Sequence, residues 1–269
     1  MRGLSNAILV CPLIGLLLPV TGQCTNWGLR YDGSDDVLRL ASCLPISGDS
    51  PFTLELWILR RAGGGSWEEI GDSRGYSLFV HSSSRLYLNL ASPGQSGAPD
   101  CCYMGAAATY TRFRSNLTVP VGLWVHIAIV WDGAQPVAYI NGESDPMVYD
   151  ITQESFTCCD FGDATPCYTP DPAPTTLDEI RVWNFARSQS DIVATMFTLL
   201  TGAEAGLINY WPMDEGSGQV TADWVAANHL QLGITSSSDA HDPSWAIADW
   251  LPPIPVQAHT WGRVKARFR

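Results

Sequence analysis

LWVHIAIVW, residues 123–131, runs directly into Asp132 and Gly133. The run is apolar on both alternating faces and rich in β-branched and aromatic side chains. It is too short for a buried helix and reads as a central strand covered from both sides. Asp132-Gly133 turns the chain into a second strand, residues 137–140, and Asn141-Gly142 marks another tight turn. Upstream, FTLELWIL at 52–59 alternates so that Phe52, Leu54, Leu56 and Ile58 share one face. Residues 76–80 and 85–90 are two short strands around a His-Ser-Ser-Ser turn, and 177–183, 206–213 and 229–232 are further strands. Residues 188–200 read as the one helix. Ser188 can cap it, with Asp191 three residues on, Ile192, Met196 and Leu199 or Leu200 recur at helical spacing, and Gly202 is placed to end it. About ten short strands and one short helix predict an all-β, antiparallel two-sheet sandwich or jelly roll.

Two stretches lack regular patterning. Residues 91–114 and 145–176 are long, rich in Gly, Pro, Ser and Asp, and carry the vicinal pairs Cys101-Cys102 and Cys158-Cys159. Adjacent cysteines seldom bridge each other, so the economical arrangement joins one loop to the other. Cys24, Cys43 and Cys167 leave an odd count, hence a free thiol or an intermolecular bond. No Cys-x-x-Cys spacing occurs, which argues against zinc. Loops of this length inside a compact domain are usually functional or stapled.

The first 22 residues read as a secretory signal peptide: Arg2 is followed by an apolar run of about 14 residues from Ala7, then small residues near Gly22. That run is short of the roughly 20 residues a membrane span requires. The expected protein is therefore secreted, in keeping with its cysteines. A net charge of −12 argues against nucleic acid as a partner and leaves carboxylates available for calcium. A basic tail, 251–269, carries Arg263, Lys265, Arg267 and Arg269.

Residues 29–36 (LRYDGSDD) followed by FTLELW at 52–57 resemble the opening of laminin-G-like jelly-roll domains of the concanavalin A-like superfamily. So do 124–133 (WVHIAIVWDG) with YING at 139–142. LDEIRVWN at 177–184 resembles their closing strand, and 206–218 with Pro243-Ser-Trp245 the segment that follows in secreted members. The resemblance covers 27–250, with its core at 52–188. It implies a two-sheet sandwich that binds glycans or extracellular proteins, often with calcium at the rim; a fold alone does not establish function. The two cysteine-bearing stretches depart from the family pattern, which makes them the expected binding surface.

The superfamily includes glycanases, whose paired carboxyls must share one cleft about 5 Å apart. Here Glu68, Glu69 and Asp72 do not alternate correctly and follow a glycine run that predicts a loop, while Asp178-Glu179 are adjacent rather than alternating. His126 sits inside a strand and reads as structural, and no Gly-x-Ser-x-Gly elbow is present. The expectation is a non-catalytic binding or adhesion module. A disulfide-linked structural component of a surface or matrix assembly is the alternative, and a glycanase the remote one. Asp32, Asp36, Asp178 and Asp214 are the calcium candidates, against the simpler reading that Asp32 and Asp36 cap turns and Asp178 pairs with Arg181. Of eleven tryptophans, Trp57, Trp124, Trp131, Trp183 and Trp211 fall in strands and read mostly as core. Trp67, Tyr103, Tyr110 and Tyr168, read as loop residues, are the ligand-contact candidates. Asn116-Leu117-Thr118 is an N-glycosylation sequon.

Overall fold

The computed structural model describes residues 25–40, 42, 44, 46, 48–64, 67–73, 76–91, 109–154 and 174–250. Cys24, Cys43, Cys101, Cys102, Cys158, Cys159 and Cys167 lie outside these residues, as do Tyr103, Tyr168 and the segments 1–22, expected to be a signal peptide, and 251–269.

In chain order the strands are β1 (Trp27–Arg30), β2 (Leu38–Leu40), β3 (Phe52–Arg60), β4 (Trp67–Ser73), β5 (Tyr76–His81), β6 (Arg85–Ala91), β7 (Thr109–Thr118) and β8 (Trp124–Trp131). There follow β9 (Pro136–Ile140), β10 (Glu143–Pro146), β11 (Val148–Glu154), β12 (Thr175–Trp183), helix α1 (Gln189–Thr195), β13 (Leu207–Trp211), β14 (Val220–Thr221), β15 (Leu230–Leu232) and β16 (Ser244–Ile247). An eight-stranded sheet runs β10-β9-β8-β3-β12-β1-β16, with β13 on β12. A five-stranded sheet runs β11-β7-β6-β5-β4, and β14-β15-β2 form a small third sheet. Every strand pairing is antiparallel.

The alternation that marks β3 and β8 in the sequence builds the core. Leu54, Leu56, Ile127 and Ile129 face Leu78, Val80, Leu86 and Leu88 of the opposite sheet, all essentially without solvent contact. The other face of β3 and β8 is buried too, because α1 lies on it: Ile192 packs on Ala128 and Val130. Under this cover sits a charged layer. Glu55 pairs with Arg187 and lies 3.4 Å from His126, and Arg181 is 2.5 Å from Glu179. In β12 the register shifts between Asp178 and Arg181, where Glu179 takes φ 55°. The bulge turns both Asp178 and Glu179 to the same covered face, where strict alternation would separate them.

The helix is shorter than the periodicity predicts and ends at Thr195. Its terminal carbonyls have other donors: Arg181 donates to the carbonyls of Thr195 (3.0 Å) and Thr198 (2.7 Å), and Trp57 Nε1 donates to that of Met196 (2.9 Å). A buried guanidinium thus replaces the next helical turn. At the other end Ser188 caps as expected, its hydroxyl accepting from the Asp191 amide.

The two stretches read as loops are partly strand. Residues 109–114 belong to β7 and 145–154 mostly to β10 and β11, whose polar outer positions conceal their alternation. The acidic run at Glu68 is likewise strand β4. Glu68 turns inward to Arg60, which donates Nε to Oε2 (2.6 Å) and Nη2 to Oε1 (2.9 Å). That bidentate pair ties the edge of the five-stranded sheet to β3.

Candidate functional site

The outer face of the five-stranded sheet carries an array of aromatic and polar side chains. Leu78, Val80, Leu86 and Leu88 point into the core, so their alternating neighbours must point out. Register sets Trp67 opposite His81, then Glu69, Phe79, Tyr87 and Arg114 in one row across four strands. The next row holds Ser77, Asn89 and Arg112.

The aromatic side chains meet. The Trp67 ring lies edge-on to Tyr87 (centroids 4.9 Å apart) and Phe79 (6.4 Å), and 4.6 Å from the His81 ring. Arg112 reaches back from β7 to set its guanidinium 5.1 Å over the same indole. Beside these rings is a polar floor: Arg112 Nε donates to Asn89 Oδ1 (2.8 Å), and Asn89 Nδ2 donates to Ser77 Oγ (3.0 Å). Trp67 keeps 37 % of its surface exposed, while Asn89 and Ser77 are buried beneath. Desolvation pushes the Glu69 carboxyl up to about 8, which favours its uncharged form near neutral pH. An exposed indole beside a partly exposed guanidinium that Asn89 holds in place suits a ligand with one apolar face and polar edges.

Of the four ligand-contact candidates, Trp67 stands on this face, and Tyr110 is on β7 opposite Ala91 and Gln153. Phe79, His81, Tyr87 and Arg112 were not singled out from sequence. The signal for them is the alternation of Ser77, Phe79 and His81 against the core residues of β5.

The four calcium candidates fall into two groups at opposite ends of β1. Beyond its C-terminal end, carboxylate oxygens of Asp32, Asp35 and Asp36 lie within 4.8 Å of one another. Asp36 Oδ2 accepts from the Asp32 amide (2.6 Å), and Asp32 Oδ1 from the Ser34 amide (2.8 Å). At the N-terminal end, Asp178 is fully buried and accepts from Asn26 Nδ2 (3.0 Å), Trp250 Nε1 (2.5 Å) and the Glu179 amide (2.9 Å). Asp214 accepts from the Trp27 amide (3.0 Å). Arg181 pairs with Glu179, so the reading that gave it to Asp178 is corrected; the bulge sends Asp178 to Asn26 and Trp250 instead. The sequon residue Asn116 is exposed, and its Nδ2 donates to Asp145 Oδ1 (3.0 Å).

Burial, together with the charges of Asp32, Asp35 and Asp242, pushes the Asp36 carboxyl up to about 6. The folded chain therefore binds more protons than the unfolded one between the ordinary value of 3.8 and about 6, and this group's contribution to stability falls as pH rises through that window. In chelator, Asp36→Asn is expected to raise Tm near neutral pH and to flatten that part of the profile. A melt series across the window in which the variant follows the parent would overturn the assignment.

A laminin-G-type family model, described as the concanavalin A-like lectin/glucanases superfamily, matches residues 32–193. No curated protein matches the sequence. Among solved structures, a protein of Bacteroides ovatus ATCC 8483 named for carbohydrate binding is similar at 17 % identity and a TM-score of 0.54. The alignment covers 87 % of this chain but 62 % of the Bacteroides protein. A heptameric SAP-like pentraxin of Limulus polyphemus aligns at 14 % identity, a TM-score of 0.47, over 80 % of this chain and 98 % of its own. At these identities the likeness is one of fold. With its family match spanning more than half its length, the chain belongs to the concanavalin A-like lectin/glucanase superfamily.

Proposed function

We propose that this is an exported, non-catalytic module that binds a glycan on the outer face of its five-stranded sheet. The observation that carries the reading is the exposed Trp67 ring seated among Phe79, His81 and Tyr87, with Asn89 and Arg112 beside it. Sugars present an apolar ring face that stacks on an indole and hydroxyls that take up fixed donors and acceptors. The absence of a catalytic role rests on the carboxyls: Glu68 is spent on Arg60 and points away from Glu69, so the adjacent acids of β4 do not face one cleft. A glycan array with the purified protein tests the reading. Binding to a defined group of oligosaccharides is expected, and silence across the array would sink it.

Calcium is the second part of the proposal, confined to Asp32, Asp35 and Asp36. Three carboxylates this close repel one another, and a divalent cation would relieve that repulsion. Millimolar calcium is then expected to raise Tm over the value in chelator. An excess of about 100 Kd is worth about 2.7 kcal/mol. Equal melting temperatures in the two conditions would remove calcium from the account.

A further inference from the structure

The charge on this face differs from that of the chain around it. The protein carries a net −12, yet all the Lys/Arg cations among the described residues are arginines, nine in number. Three of them, Arg60, Arg181 and Arg187, are buried in pairs with Glu68, Glu179 and Glu55. Of the other six, Arg85, Arg112 and Arg114 stand on β6 and β7 of the five-stranded sheet, at positions alternating with core residues. Arg112 lies over Trp67 and belongs to the aromatic floor. The remaining two neighbour Tyr87: Arg114 is directly opposite it on β7, and Arg85 is two residues before it on β6, where the β6–β7 register shifts. Side chains in those relations are about 5–7 Å apart at Cβ, within reach of one substituent on a ring stacked between them.

We infer that the bound glycan is anionic, bearing a carboxylate or a sulfate, and that Arg85 and Arg114 grip that group beside Tyr87. The inference rests on the glycan-binding reading of this face and adds the chemistry of the ligand. Arg85 is held in place by its Nη1, which donates to the Ser115 carbonyl (3.2 Å). Arg114 has Asp150 3.9 Å away, a loose surface pair with both side chains about one-third exposed. A desolvated carboxylate or sulfate offering two oxygens to the planar fork competes well with such a contact. Glu69, in the same row as Arg114, adds little opposing charge, because its carboxyl is pushed up to about 8. Asp145 of β10 is occupied by the amides of Asn116 and Leu117. The strong negative charge of the rest of the chain disfavours a densely charged polyanion such as nucleic acid and suits a sparsely charged sugar chain.

The test uses matched oligosaccharides on one backbone: a neutral hexose form, the corresponding hexuronate and an O-sulfated form. Binding to the purified protein is measured at low and at moderate salt. At least one anionic member should bind roughly tenfold or more tighter than the neutral one, with the advantage shrinking as salt rises. Arg114→Gln and Arg85→Gln should each bring the anionic-to-neutral ratio toward one, and Arg114→Lys should recover part of it. The uronate and sulfate arms tell which group is read. Equal or better binding of the neutral form overturns the anionic inference while the glycan-binding reading stands. Failure to bind any of the three, in a protein that is positive on the array, overturns it as well; failure on the array too removes both.

Discussion

Replacing Arg181 with methionine is expected to cost the fold about 4 kcal/mol, the usual scale for leaving one member of a buried ion pair alone. The guanidinium has no solvent exposure and serves three partners: the Glu179 carboxylate at 2.5 Å, and the carbonyls of Thr195 and Thr198 where the helix stops. Methionine fills most of the volume but supplies no donor. Glu179 would retain the Tyr210 hydroxyl (2.8 Å), and two carbonyls at the end of α1 would lose the donor that takes the place of a further helical turn. Tm should fall by roughly 10 °C at the few degrees per kcal/mol typical of a domain this size. Burial already raises the Glu179 carboxyl, and without Arg181 it rises further. A carboxyl whose folded value lies above its unfolded one loses stability as pH rises through that interval, so the deficit should widen from acid toward neutral pH. Glu179→Gln with Arg181→Met should regain much of the loss, since a neutral pair need not be compensated. Urea midpoints decide the matter. A single-variant loss below about 1 kcal/mol would mean the charged layer under α1 is not what fixes the helix.

Trp67→Ala is expected to weaken glycan binding about 30-fold, close to 2 kcal/mol, while the fold loses about half that. Trp67 is more than one-third exposed and sits on the edge strand β4, so little of the core depends on it. What disappears is the ring to which Phe79, His81, Tyr87 and Arg112 are all fitted. Trp67→Phe should keep part of the affinity because a smaller π-face remains. Unchanged affinity in Trp67→Ala, with circular dichroism like the parent, would place the ligand elsewhere on the molecule.

The strands visible in the sequence are those whose two faces differ clearly or are both apolar. β3, β8, β9 and β12 follow the readings at 52–59, 123–131, 137–140 and 177–183 to within a residue or two at each end. Two of those missed, β4 and β7, carry salt links or outward charges in place of a plain pattern. β4 is a run of acids after glycines, yet it forms because Arg60 claims Glu68. β7 hides its alternation because Arg112 and Arg114 occupy the outer face. The helix end was out of reach for another reason: Arg181 lies 14 residues before Thr195, and nothing local announces that its guanidinium will accept the role of a helical turn. Of the proposed face, the sequence reading singles out Trp67. The other members of that face converge through pairings across four strands, which composition cannot report. The acids separate in the same way. Asp32 and Asp178 look equivalent as aspartates near strand ends, but β1 holds them at opposite ends of itself.

β1 lies between β12 and β16, so Trp27 pairs with Ile247 across nearly the whole chain. During synthesis this early strand leaves the ribosome long before either neighbour exists. Closing so large a loop is slow, and folds dominated by such non-local pairings take milliseconds to seconds even once complete. Until β16 arrives, one side of β1 is an open ladder of amides and carbonyls, the form in which chains recruit each other. A chain truncated just before Ser244 is therefore expected to accumulate as aggregate even though most of the core sequence is present. If the proposed export holds, that delay would let the chain cross a membrane unfolded and complete its larger sheet only afterwards.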